Sequence, residues 1–228
     1  MAYTARGVPW VYKGVTDVTH CKTSMECMEA AGLNFVVKKC ELVAKMNIAD
    51  DVDRTLDDLL EAKRKDVEAH INGKYMYSKL DNAFCTYRDD NHTPLGYVKQ
   101  RYTIVQNTAA FKFFDNVIGE NSAIWQTAGC FGNGERIFVS AKLSQNILVK
   151  GDPVENYLVF VNSHDGSSCV RILFTPIRVI CQNTLTAALR TSTNSISIRH
   201  TESVHKNIEL AHEVLGITTV SYTHLRAH

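Results

Sequence analysis

The sequence predicts an α+β protein: an antiparallel β-sheet built from hairpins, with helices packed on one of its faces. Three observations carry this expectation. Apolar runs rich in β-branched and aromatic residues are joined by tight-turn chemistry at Gly132-Asn133-Gly134 and His164-Asp165-Gly166, and strands joined by such turns pair antiparallel. Stretches with apolar residues at helical spacing follow the hairpins instead of alternating with single strands, which places helices in a layer beside the sheet. The chain has 228 residues, is 45% hydrophobic and contains no repeat, low-complexity tract or Gly/Ser linker. Such a chain can bury one sizeable core, so residues 1–217 read as one domain.

In chain order, Pro9-Trp10 belongs to an irregular opening in which Trp10 reads as a core anchor. Thr23-Ser24-Met25-Glu26 is a capping-box pattern and Gly32 a stop signal, which predicts a helix over 23–31. Residues 33–37 read as a strand and 40–44 as a second one. Residues 50–70 are dense in charges of both signs, with Val52, Leu56, Leu59, Leu60 and Val67 at helical spacing. They read as an amphipathic surface helix inserted into the domain. Strands are expected over 75–80 and 83–87, a turn over 88–94, and a returning strand over 95–99. Asn107 is expected to cap a helix ending at Ile118, with Phe111, Phe114, Val117 and Ile118 facing the core. Hairpins follow over 124–131 with 136–143 and over 156–161 with 169–174. A helix over 182–189 comes next, then a short strand over 196–198. Thr201 is expected to cap a last helix over 202–215, closed by Gly216.

Formal net charge is +1, so no global field draws this chain to nucleic acid or membrane, and any polyanion site is a local groove. The seven cysteines are odd in number and contain no CxxC pair, which argues for reduced thiols in a cytoplasm and against a zinc ribbon or a disulfide framework. The N-terminus lacks the apolar core of a signal peptide, and no run reaches membrane-spanning length. Residues 218–228 continue no earlier pattern and look like a translated sequencing adapter. They are expected to be a non-native tail, with the natural chain continuing past Ile217.

Chemistry concentrates between Tyr157 and Thr201. Ser163-His164-Asp165-Gly166 offers an imidazole and a carboxylate suited to acid–base work or metal binding. Asp-Gly is equally good turn chemistry and has the stronger support. Arg178 precedes a helix whose first residues, Gln182 and Asn183, carry amides, and a helix start with a nearby cation suits phosphate. The alternative is a capped helix end with no ligand. Cys181 reads as an inert thiol. Arg199-His200-Thr201 repeats the cation-and-imidazole arrangement before the last helix, and Arg136 opens a strand. Arg101-Tyr102 and Gln106-Asn107 flank a further strand–helix junction. His205, Glu209 and His212 share one helix face but read as solvated, so no metal site is expected. P-loop, GxGxxG, HExxH and GxSxG motifs are absent from the sequence, and the sequence leaves any cofactor unknown.

Together, Pro9-Trp10, Leu95-Gly96, Arg101-Tyr102, Val105-Gln106-Asn107, Thr127-Ala128-Gly129, Asn162-Ser163-His164-Asp165-Gly166-Ser167, Thr175-Pro176-Ile177-Arg178, Cys181-Gln182-Asn183-Thr184-Leu185 and Arg199-His200-Thr201 resemble the phage/plasmid-like family described as prokaryotic domain of unknown function 932. The resemblance implies a mobile-element setting and DNA metabolism or host conflict. The strand–helix order also looks like that of single-strand annealing recombinases, a fold-level analogy that suggests a homo-oligomer. Three functions follow as expectations. The first is a module binding single-stranded DNA through Arg136, Arg178, Gln182, Asn183 and Arg199. The second is a hydrolase or nuclease using His164, Asp165 and His200. The third is a protein that engages a host factor.

Overall fold

A strand buried at every position marks the centre of a sheet covered on both faces, and β10 (Tyr157–Ser163) is such a strand. The computed structural model describes residues 14–47, 69–72, 75–119, 123–149, 152–192 and 194–215. In it β10 lies between β7 (Arg136–Leu143) and β11 (Val170–Thr175). The sheet extends through β6 (Ala123–Phe131) to β1 (Val15–Asp17) on one side and to β12 (Ser195–Ile198) on the other, antiparallel throughout. The two predicted hairpins are both present. Gly132 and Gly134 adopt φ of 67° and 119° in the first turn, and Gly166 adopts 75° in the second, which only glycine accepts without strain.

Alternation along β10 sends Leu158 and Phe160 to one face and Tyr157, Val159 and Val161 to the other. The first face is covered by α1 (Ser24–Ala30), α2 (Asn107–Gly119) and α4 (Val204–Val214), which contribute Met28, Phe111, Phe114 and Ile208. The second face is covered by α3 (Gln182–Thr191) through Leu185 and Ala188. The fold is thus α+β with antiparallel sheets and helices beside them, and α3 extends the helix layer to the second face. Among the described residues no helix is long and apolar enough to cross a membrane.

A second antiparallel sheet is built on the long strand β4 (Tyr75–Arg88). Strand β2 (Val37–Asn47) pairs one edge, while β3 (Ala69–Asn72) and β5 (Pro94–Lys99) share the other edge at its two ends. A short hairpin, β8 (Ile147–Val149) with β9 (Asp152–Val154), stands apart.

Several local expectations are corrected. Residues 33–36 do not form a strand. A side chain takes the place of a strand partner there, Asn107 Nδ2 donating to Leu33 O at 2.9 Å, and Gln106 accepts from Val37 N at 3.0 Å and donates to Val37 O at 2.8 Å where β2 begins. Asn107 therefore lies within the first turn of α2 instead of capping it. Thr201 does not cap α4 either; Ser203 holds that position and Thr201 sits in the preceding turn. Thr23 does cap α1, accepting from Glu26 N at 3.2 Å. Residues 50–68, Trp10 and the tail 218–228 lie outside the described residues, and Ala69 and His70, the predicted end of the charged helix, open β3.

The two sheets meet where β5 passes the turn after β10. Thr86 Oγ1 donates to His164 O at 2.7 Å. Gly96 packs so closely on this turn that a Cβ would lie 2.4 Å from Asp165 Cα. Backbone on both sides leaves nothing flexible to yield, so Gly96→Ala is expected to destabilise the protein by about 2–3 kcal/mol. A urea midpoint unchanged from wild type would refute the close approach.

Candidate functional site

The junction of the sheets carries the polar residues that the sequence singled out. His164, directly after β10, is fully buried, and its Nε2 lies 2.8 Å from Asn107 Oδ1. Asn107 Nδ2 is spent on backbone carbonyls, so Oδ1 must accept, and His164 carries its proton on Nε2. His200, 8% exposed, places Nδ1 3.1 Å from Thr103 O, a group that can only accept. The bonded nitrogen of each ring thus carries a proton, and the other nitrogen, His164 Nδ1 or His200 Nε2, is buried with no hydrogen-bond partner among the described residues. Burial first, then the neighbouring His200, pushes His164 down to about 4. Burial also lowers His200, against the opposing pull of Thr103 O.

This has a consequence in acid. The unfolded imidazole takes a proton near 6.5, whereas folded His164 resists until about 4. The stability this burial permits is complete above about pH 6.5 and is lost as pH falls towards 4. The loss from His164 is expected to be on the order of 3 kcal/mol. Denaturant midpoints across this range should fall less steeply for His164→Leu than for wild type; parallel slopes would sink the assignment.

Asp165 does not join the histidines. Its Oδ1 accepts from Ser163 Oγ at 2.8 Å and from Ser167 N at 2.9 Å, closing the turn on itself. Burial alone would raise this carboxyl, but hydrogen bonds from Ser167 and Ser163 and the nearby Arg136 hold it below its ordinary range. Arg136 reaches Ser167 Oγ at 3.4 Å. Tyr102 stacks on His200, with ring centroids 4.5 Å apart, and donates its hydroxyl to Ser163 O at 2.6 Å. Burial, and secondarily the Asp165 charge, push this phenol upward, so it stays protonated.

Above this buried layer lies an open groove of about 580 Å³. The end of β5 and the loop after it supply Tyr97, Lys99, Arg101 and Tyr102; the turn after β10 supplies Ser167 and Ser168; the segment after β12 supplies Arg199, His200 and Thr201. No Asp or Glu is among its described lining residues. Lys99, Arg101 and Arg199 are exposed and make no ion pair with any described residue. Tyr97 is 54% exposed. Such a groove combines unpaired cations, hydroxyl donors and an open aromatic face, the chemistry that holds phosphates and stacks bases.

Of the residues chosen from the sequence, the structure gathers Arg199 and His200 in the groove, Arg136 at its rim, and His164 and Asp165 beneath it. Arg178, Gln182 and Asn183 lie apart. Arg178 is on the opposite face of the first sheet, 3.7 Å from Asp17 and against Gln126. Gln182 and Asn183 are exposed on α3, whose start is closed internally: Thr184 Oγ1 accepts from Ile180 N and Cys181 N at 2.9 and 3.0 Å. The three arginines thus do not share one surface. Lys99 was not singled out from the sequence, and Arg101-Tyr102 only as a flank; an isolated lysine at a strand end carries no signal until the fold sets it beside Arg199. His212 is not on a solvated face but stacks on Phe113, with centroids 4.1 Å apart. Among the described residues no group of three or more His, Cys, Asp or Glu could hold a metal ion.

A family model described as a domain of unknown function (DUF932) matches residues 94–228, more than half of the sequence and all three segments that line the groove. No curated protein and no solved structure matches the chain.

Proposed function

We propose that this chain, which belongs to the DUF932 family of domains of unknown function, binds single-stranded DNA in the groove between β5, the turn after β10 and the segment after β12. The observation that carries the reading is the set of three cations, Lys99, Arg101 and Arg199, that have no carboxylate partner among the described residues and share a lining whose described residues include no acidic side chain. With a net charge of only +1, the attraction is confined to this patch, so the ligand is held by local phosphate contacts and not by a global field. Tyr97 offers a stacking surface that an unpaired base can reach and a duplex cannot readily use. Arg136, bound to Ser167 at the rim, extends the cationic track by one contact. In the phage- and plasmid-borne setting that the resemblance implies, the ligand is the strand exposed during recombination or replication.

The test is fluorescence anisotropy of a labelled single-stranded oligonucleotide across a salt series. Binding whose logarithm falls linearly with log salt, with a slope of roughly −2 for three contacts, supports the reading. Absence of binding at low salt, or equal affinity for duplex of the same length, defeats it.

A second reading, a hydrolase or nuclease acting through His164 and His200, draws on the bare lone pairs at His164 Nδ1 and His200 Nε2. Either nitrogen is a base held in one tautomer, and His200 borders the groove. On this reading a bound oligonucleotide is cleaved, and His200→Ala abolishes cleavage while retaining binding. An oligonucleotide left intact with divalent cations present removes it.

A further inference from the structure

Cys40 of β2 stands directly opposite Cys85 of β4, and Cys85 stands directly opposite Tyr97 of β5. Opposed residues of antiparallel strands project to the same face, so the two thiols and the Tyr97 ring form one row across the second sheet. Opposed Cα atoms lie about 4.5–5.5 Å apart, within the span of about 4.4–6.8 Å that a disulfide bridges. Cys40 is exposed and Cys85 half-buried, and both are free thiols. Cys85 Sγ donates to Thr86 O at 3.3 Å, and the neighbouring Cys40 adds to the burial that raises the Cys85 thiol.

We propose that Cys40 and Cys85 form an oxidation site that closes to a cross-strand disulfide on reaction with a low-molecular-weight disulfide. Exposure makes Cys40 the entry point, because burial pushes the Cys85 thiol up and leaves it less thiolate. The Cys40 thiolate attacks one sulfur of the small disulfide, forming a mixed disulfide and releasing one small thiolate. Cys85 then loses its proton to solvent and attacks the Cys40 sulfur, forming the Cys40–Cys85 bond and expelling the second small thiolate. Two protein thiols are oxidised by two electrons, and one small disulfide is reduced by two.

The other neighbouring pair, Cys21 and Cys27, does not offer this route. Cys27 is 0% exposed with its thiol pushed far upward by burial, and Cys21 is itself half-buried with its thiol raised by burial, so this pair has no exposed entry thiol like Cys40. The Cys40–Cys85 bond would also fasten the strand next to the groove. Lys39, adjacent to Cys40, donates Nζ to Gln100 O and Tyr102 O at 3.1 and 3.2 Å, and Tyr97 ends the same row. That consequence rests on the groove being the binding surface; the oxidation site does not.

The experiment treats the reduced full chain with oxidised glutathione, blocks the remaining thiols by alkylation, and maps peptides without reduction at acidic pH. The expected product is one linked pair joining the Cys40 and Cys85 peptides, lighter than their sum by two hydrogens. In Cys85→Ser the reaction should stop at a glutathione adduct on Cys40, which separates loss of the resolving thiol from loss of fold. Wild type that keeps the Cys40 adduct, or that links Cys40 to another cysteine, overturns the proposal. Because the readout is a covalent map, it stands or falls independently of nucleic-acid binding.

Discussion

Replacing Lys99, Arg101 and Arg199 together by alanine is expected to weaken single-stranded oligonucleotide binding by roughly 100-fold at low salt, and to flatten the salt dependence by about 0.7 for each cation removed. The three side chains are exposed and unpaired with any described residue, so removing them breaks no structural bond, and the denaturant midpoint should stay within about 0.5 kcal/mol of wild type. That separation makes the variant informative: a loss of affinity cannot be blamed on unfolding. Arg178→Ala is the contrasting control. It strips the buried Asp17 of its cation on the far face of the sheet, and should cost stability while leaving affinity unchanged. If Arg178→Ala weakens binding and the triple variant does not, the interface is on the α3 face and the groove assignment is wrong.

Asn107→Ala is expected to be among the most damaging single substitutions, at about 3–5 kcal/mol. Asn107 is 1% exposed and binds three groups at once: its Nδ2 serves Leu33 O and approaches Phe35 O at 3.5 Å, and its Oδ1 fixes His164. Alanine would leave two buried carbonyls and an imidazole N–H without partners, each costing about 1–3 kcal/mol. Asn107→Asp separates the roles. A carboxylate can accept from His164 but cannot donate to Leu33 O, and its charge favours the imidazolium. The His164 titration, followed by NMR, should therefore move up from about 4. A loss below about 1 kcal/mol for the alanine variant would show that water replaces the amide at the junction.

Much of the architecture was legible because it rests on local chemistry. The turns at 132–134 and 164–166 need glycine at positive φ, and the pattern shows it; the helices α1 and α2 follow from a capping residue and an aromatic stripe. What was not legible depends on partners distant in sequence. Residues 33–36 look like a strand, but Leu33 O is met by Asn107 some seventy positions later, and Gln106 holds the backbone of Val37 where β2 begins. β1 has three residues and no pattern of its own; it exists because β6 offers it an edge. The site divides the same way. Arg199 and His200 stood out as a cation and an imidazole before a helix, and both line the groove. Arg178 stood out for the same reason, yet a buried carboxylate draws it to the other face. No local signal tells a cation facing solvent from one facing Asp17.

The groove is stitched from three stretches, 97–102, 166–169 and 199–201, that are remote along the chain and meet only once both sheets have docked. Nothing resembling it survives in the denatured ensemble. Any molecule that occupies it must therefore shift the melting transition of the whole domain, by about 2.7 kcal/mol when present at a hundred times its dissociation constant. Thermal denaturation thus becomes a chemical census: nucleotides, oligonucleotides of graded length and inorganic phosphate can be ranked by the temperature at which the protein comes apart, with no reaction to assay and no label on the ligand.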